Sequence, residues 1–317
     1  MNHRSFSFAQ NATDFEATAK QLHTSMCAQE GVYWAALLDT AFDHEQSGAF
    51  ASIYRKDFTN CYAFPDLQGL AAVSPRLLQL PPPEAPELLS ILRSLIHHCN
   101  GRPMLSFVAL KNGDPKAATQ HWHPLHWYFH DGQKLLLRFA DTRTLSVLPT
   151  VLTPQQWAAW TAPVSAWGYI DRSGALAFLP VPEIQDSAIA PPLPTKMELS
   201  DAQLSTFIEY SLPDAALLFL QENLPDVIPA DMDGYAFYQL AQHTLALAKQ
   251  HDIGSWGDQM ALIAGACLSA GLLLQAPELP KLLATHAWTP GELGPFLAKN
   301  QEKLEPYIYP PSAESEP

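Results

Sequence analysis

The stretch from His121 to Leu179 constrains this chain most, because its turn and cap signals come too close together for any single regular element. Asp131-Gly132 separates two apolar segments, 125–130 and 133–139, and a two-residue Asp-Gly loop favours a hairpin, since both central positions need positive φ. Asp171-Arg172-Ser173-Gly174 marks a second hairpin. Between the two, 142–151 and 155–160 predict helices, the latter capped by Thr153 with Pro154 in its first turn. Strand pairs separated by helices argue for a mixed sheet.

Upstream, strand and helix patterns alternate. Thr13-Asp14-Phe15-Glu16 has capping-box spacing, and Phe15, Ala19, Leu22 and Met26 repeat at helical intervals until Gly31. The unbroken apolar run 32–38, ending at Asp39, predicts a strand buried on both faces. A short helix at 44–54 and a strand at 76–80 follow. Residues 84–99 predict a helix with Leu88, Leu92, Leu95, Ile96 and Cys99 on one face and Asn100-Gly101 as its stop. A strand at 104–110 and a helix capped by Asp114-Pro115 lead into the histidine-rich segment.

Downstream, Pro180, Pro182, Pro191, Pro192 and Pro194 interrupt any periodicity, which places a domain boundary there. Beyond it the pattern is helical: 200–210, 213–223, 231–251 and 255–274, with Phe237, Leu240, Ala241, Thr244, Leu245 and Ala248 forming one apolar stripe. The expected organisation is an α/β lobe with a mixed sheet at 1–180, a proline-rich linker at 181–198, an all-α bundle at 199–309 and a frayed tail at 310–317.

Composition narrows the function classes. Hydrophobic residues make up 47% of the 317, enough for a sizeable core. From Ser200 onward 15 acidic and 4 basic residues leave −11 of the total −14. A surface of that sign repels phosphate backbones and anionic lipid, so nucleic acid and membrane are not expected partners, whereas a basic protein surface is. The apolar run 260–274 is too short for a membrane span. Cys27, Cys61, Cys99 and Cys267 are scattered without paired spacing and read as reduced side chains. With no signal-peptide pattern at the N-terminus, the expected compartment is the cytoplasm.

Candidate chemistry concentrates in the organising stretch. His121, His123, His126 and His130 have a spacing that suits a divalent metal, yet no Asp, Glu or Cys lies among them before Asp131. On a strand His126 and His130 would share a face. Arg138, Asp141 and Arg143 sit at a strand-to-helix corner with Phe139, where Asp141 is expected to cap the helix and hold Arg138 by charge-assisted hydrogen bonds; an anion site is the other reading. Pro163 marks a further corner. Trp122, His126, Trp127, Tyr128, Trp157, Trp160 and Trp167 are candidate partner-binding residues, aromatic crowding being typical of interface hot spots, with core packing as the alternative. No nucleophile elbow, phosphate loop or zinc-protease motif occurs, and no catalytic residue or cofactor is assigned.

The order of these motifs resembles the adaptor domain of type VI secretion effector chaperones. The resemblance rests on Y-W-A-A-L-L-D at 33–39, S-P-R-L-L-Q-L at 74–80, L-L-L-R-F-A-D-T-R at 135–143, T-P-Q-Q at 153–156 and A-P-V-S-A-W at 162–167. Thr142 stands where the family pattern has proline, and Ala162 where it has glycine. The resemblance spans about residues 30–180, and the helical second half is similar to an extension that many members carry. It implies a non-enzymatic cytoplasmic protein that binds a cognate effector and assists its loading onto the spike protein VgrG. Two other readings stay open at this point: a metal-dependent enzyme using the histidine cluster, and an immunity or regulatory protein sharing the fold.

Overall fold

The computed structural model describes residues 6–29, 31–43, 58–182 and 197–308, with side chains as far as Leu304. The helix expected at 44–54, most of the proline-rich segment and the tail lie outside the described residues. The chain divides into two units, Gln10–Tyr210 and a second formed by Ser211–Pro317 with Met1–Ala9. That division falls inside a helix, beyond the proline-rich segment where the sequence pattern had placed the boundary.

The first unit is built on an antiparallel sheet of six strands, ordered β2-β3-β1-β4-β7-β8. These are β1 (Tyr33–Leu38), β2 (Phe58–Asn60), β3 (Arg76–Gln79), β4 (Leu105–Leu110), β7 (Val164–Ile170) and β8 (Leu176–Phe178). A smaller sheet supplies the mixed pairing: the hairpin β5 (Trp127–His130) and β6 (Gln133–Leu136), with β9 (Met197–Glu198) parallel to β5. Asp131 and Gly132 take φ of 46° and 75°, as a two-residue hairpin turn requires.

Central strand β1 explains the layering. Alternate side chains point to opposite faces, so Ala35 and Leu37 join one core with Leu77, Val108 and Trp167, while Trp34, Ala36 and Leu38 join another with Leu78, Phe107 and Ala109. Both faces are covered, which is why the strand reads as a continuous apolar run rather than an alternating one. Helices α1 (Phe15–Cys27) and α2 (Leu88–His98) cover the second face through Leu22, Met26, Leu92 and Leu95. The first face carries α3 (Pro115–Trp122), α4 (Thr142–Val151), α5 (Pro154–Thr161) and the small sheet.

Local signals act where the sequence places them, with small shifts. Asp14 alone caps α1, accepting from the amides of Glu16 and Ala17, while Thr13 turns to the Gly174 carbonyl and to Thr18. Asp114 caps α3, and Thr153 with Gln156 forms a reciprocal capping box on α5. Helix α2 starts at Leu88 rather than residue 84, because Pro86 disfavours helical geometry in the residue before it.

The second unit is helical. Helix α6 (Asp201–Asn223) is continuous where two helices are expected; Pro213 sits buried inside it and interrupts one amide donation without ending the helix. It is followed by a 3₁₀ turn, Pro225–Val227, then α7 (Gly234–Gln250) and α8 (Trp256–Leu268). The expected helix 255–274 stops at Leu268, since Ala270 and Gly271 both take positive φ. Helices α9 (Glu278–Leu283), α10 (Leu293–Lys299) and α11 (Gln301–Ile308) complete the unit. Phe237 and Ala241 pack against Leu217, Leu220, Met260 and Ile263 in one core, and Leu262, Leu279 and Leu293 form another. Buried Asp258 ties the turn before α10, accepting from the amides of Gly291 and Leu293 at 2.9 Å each. No described helix is long and apolar enough to cross a membrane.

Candidate functional site

The four histidines do not converge. His121 Nε2 lies 2.7 Å from the Ala159 carbonyl. His123 stacks on Phe64 and places Nε2 2.7 Å from Asp66 Oδ1. His130 Nδ1 faces the Leu199 carbonyl at 3.2 Å. His126 belongs to a 3₁₀ turn, 123–126, opened by Pro124, so it does not share a strand face with His130; its ring enters the core between Tyr62, Phe139 and Trp160. Both His126 ring nitrogens are buried without a hydrogen-bond partner. Burial, with the neighbouring His123, pushes its pKa down to about 3, while the Cys61 backbone and Asp66 act the other way. Among the described residues no three histidine, cysteine or acidic side chains are arranged to hold a metal ion.

The aromatic residues expected as partner contacts are core. Trp122, Trp160, Trp167, Tyr128, Trp157 and His126 are all buried; Trp122, His126, Trp160 and Trp167 surround Phe139, while Trp157 stacks on Trp167 and Tyr128 bonds to Trp160. The four indole N–H groups are satisfied internally: Trp160 Nε1 donates to Tyr128 Oη at 2.7 Å, Trp122 Nε1 to the Trp160 carbonyl at 3.0 Å, Trp157 Nε1 to the Pro180 carbonyl at 2.7 Å and Trp167 Nε1 to Ser106 Oγ at 3.1 Å. A buried indole usually finds an acceptor for its N–H, and each of these four does. Trp127 is the exception, half-buried, with Lys134 Nζ 3.7 Å above its ring and its Nε1 donating to Asp66 Oδ2 at 2.8 Å. Although its partial burial acts the other way, Asp66 is held below the usual carboxylate range by its bonds to His123 and Trp127.

The charged corner is where distant parts of the chain meet. Arg138 Nη2 donates to Asp39 Oδ2 at 2.8 Å, not to Asp141 as expected. Asp141 caps α4 through the Arg143 amide, and its carboxylate is gripped by the Arg143 side chain, Nε to Oδ1 at 3.0 Å and Nη2 to Oδ2 at 2.8 Å. Both guanidinium groups face the Phe42 ring, at 5.0 Å for Arg138 and 5.3 Å for Arg143. Asp39 also caps the 3₁₀ turn Thr40–Phe42 through the Ala41 amide. Burial and the neighbouring Asp141 raise its pKa, while Arg138 pulls it back. Beyond Phe42, Asp43 Oδ1 lies 3.1 Å from His98 Nε2 and 3.4 Å from Arg102 Nη1. Pro163 closes the α5–β7 corner, its carbonyl accepting from the Lys111 amide at 3.0 Å.

Arg138, Asp141 and Arg143 were singled out by the sequence. Asp39 and Phe42 were not, although Asp39 closes one of the segments that carry the resemblance. Asp66 offers no sequence signal at all, since it lies in a 3₁₀ segment, Pro65–Val73, without motif or periodicity.

Residues 34–159, from β1 to within α5, match a family model described as "Domain of unknown function (DUF4123)". No curated protein and no solved structure matches the chain. The matched span contains the whole charged corner.

Proposed function

We propose that this protein is a non-enzymatic adaptor that binds a cognate type VI secretion effector in the cytoplasm of the producing cell and assists its loading onto the VgrG spike. One observation carries the reading. The segments that resemble the adaptor family, 33–39 and 135–143, are far apart in the chain yet close on one corner, with Asp39, Arg138, Asp141 and Arg143 linked around Phe42. A corner that arginines stiffen while Arg138 stays partly exposed suits recognition of another protein better than turnover of a small molecule. The family match over 34–159 supports the same reading.

Co-expression with the products of the adjacent effector and spike genes, followed by affinity capture, tests it. The expected result is a complex containing the effector, and loss of effector delivery when this gene is deleted. Absence of any complex with either product, or delivery that persists without this gene, overturns the reading.

A further inference from the structure

The helical unit carries an exposed apolar face that its own core does not explain. On α6, Ala216, Leu217 and Leu220 turn inward, while Leu218 is 57% exposed. Its neighbour Phe219 is half-buried and meets Trp256, the first residue of α8, edge to face at 6.2 Å; Trp256 is itself 37% exposed. The exposed Leu218 thus stands on α6 next in sequence to the Phe219 that meets the exposed Trp256 of α8. Large apolar side chains joined in this way cost hydration free energy unless something covers them.

The charge around this face says what fits. Glu222, one helical turn beyond Leu218, and Asp226, on the 3₁₀ turn packed against α8, are both exposed. They belong to the part of the chain that holds 15 acidic and only 4 basic residues. A second copy docking the same face would set Glu222 and Asp226 against their like. A nucleic acid or an anionic membrane would be repelled.

We propose that the α6–α8 face is a docking site for a basic amphipathic helix of a partner protein. The apolar stripe of that helix covers Leu218, Phe219 and Trp256, and its flanking lysine or arginine residues meet Glu222 and Asp226. This goes beyond the adaptor reading and does not depend on it: peptide binding reports on the face, effector capture on the adaptor role.

The test uses the full chain and three labelled 18-residue peptides followed by fluorescence anisotropy: an amphipathic Leu/Lys helix, its Leu/Glu counterpart, and a scrambled Leu/Lys peptide with no apolar face. The Leu/Lys helix is expected to bind at least about tenfold tighter than the other two. Two double variants, Leu218→Ser with Trp256→Ser and Glu222→Lys with Asp226→Lys, are each expected to weaken it about tenfold or more. The charge-reversal pair touches only exposed side chains and keeps the test decisive if the apolar pair unfolds the unit. Equal binding of all three peptides, no binding, or binding that survives charge reversal overturns the proposal. So does a concentration-dependent dimer that Leu218→Ser abolishes, which would make the occupant a second copy.

Discussion

Arg138 and Asp39 lie 99 positions apart in the chain and meet at 2.8 Å, an exposed-edged guanidinium against a carboxylate that is 1% accessible. The pair joins the end of the central strand β1 to the segment between the small sheet and α4. It also explains how a charged residue can close an apolar strand: Asp39 is tolerated because Arg138 and the Ala41 amide share its charge.

Removing Arg138 leaves that charge buried alone. Arg138→Met is expected to destabilise the first unit by about 2–3 kcal/mol at pH 7, below the largest values for broken buried pairs because the arginine is partly exposed. Burial raises the Asp39 pKa, so its ionisation opposes folding; the penalty of the variant grows as pH rises through the carboxylate range and shrinks toward acid pH as Asp39 gains a proton. Urea unfolding from pH 3.5 to 7 checks this; a pH-independent gap, or an Asp39→Asn/Arg138→Met double variant no better than Arg138→Met, counts against it.

His126 predicts an opposite slope. Its folded pKa of about 3 lies below the ordinary 6.5, so the unfolded chain binds the extra proton between those values and stability is lost as pH falls through that window. The expected contribution is up to about 1.4 kcal/mol per pH unit. His126→Phe keeps an aromatic ring among Tyr62, Phe139 and Trp160 and removes two unpartnered nitrogens, so it is expected to stabilise the protein, more at pH 5 than at pH 7. Paired unfolding curves at the two pH values decide.

Tyr128 and Trp160 test the internal polar bonds of the aromatic core. Tyr128→Phe leaves the Trp160 N–H buried without its acceptor and is expected to cost about 1–3 kcal/mol. Chemical denaturation measures the cost, and the effect is expected to shrink when Trp160→Phe is already present.

Gly174 closes the β7–β8 hairpin at φ +84°, and a methyl there would stand 2.5 Å from the Ala12 carbonyl oxygen. Neither the backbone conformation nor the contact can yield cheaply. Gly174→Ala is expected to lower stability by well over about 1 kcal/mol, visible as a fall in Tm, whereas Gly69→Ala, with open space around it, is expected to be nearly neutral.

Thiol chemistry separates the cysteines. Cys27 is exposed, whereas Cys61, Cys99 and Cys267 are buried, with burial pushing the Cys99 and Cys267 thiols up to about 12. A thiol reagent on the native protein is expected to titrate about one group quickly and the rest only after denaturation.

Which elements exist was readable because the signals for them are local. The Asp131-Gly132 turn, the Thr153–Gln156 capping box, the Asp114-Pro115 start and the stop at Gly101 each act over four residues or fewer. The continuous apolar run of β1 correctly implied a sheet covered on both sides. Pro213 misled, because a proline buried inside a packed helix can be carried by tertiary contacts that local rules do not contain. His126 misled for a related reason: Pro124 turned the segment into a 3₁₀ turn and sent the imidazole inward.

Sequence alone therefore determined most of the helices and strands, though not β2, β9 or the continuity of α6, together with the acidic character of the second half and the segments that carry the family resemblance, since each depends on neighbours in the chain or on simple counts. Only the tertiary structure decided that Trp122, Trp157, Trp160 and Trp167 face inward, that the histidines part company and that Arg138 pairs with Asp39 rather than Asp141. Tryptophan and histidine suit a core and an interface about equally well, and an ion pair between residues 39 and 138 exists only once a sheet has carried both to the same corner.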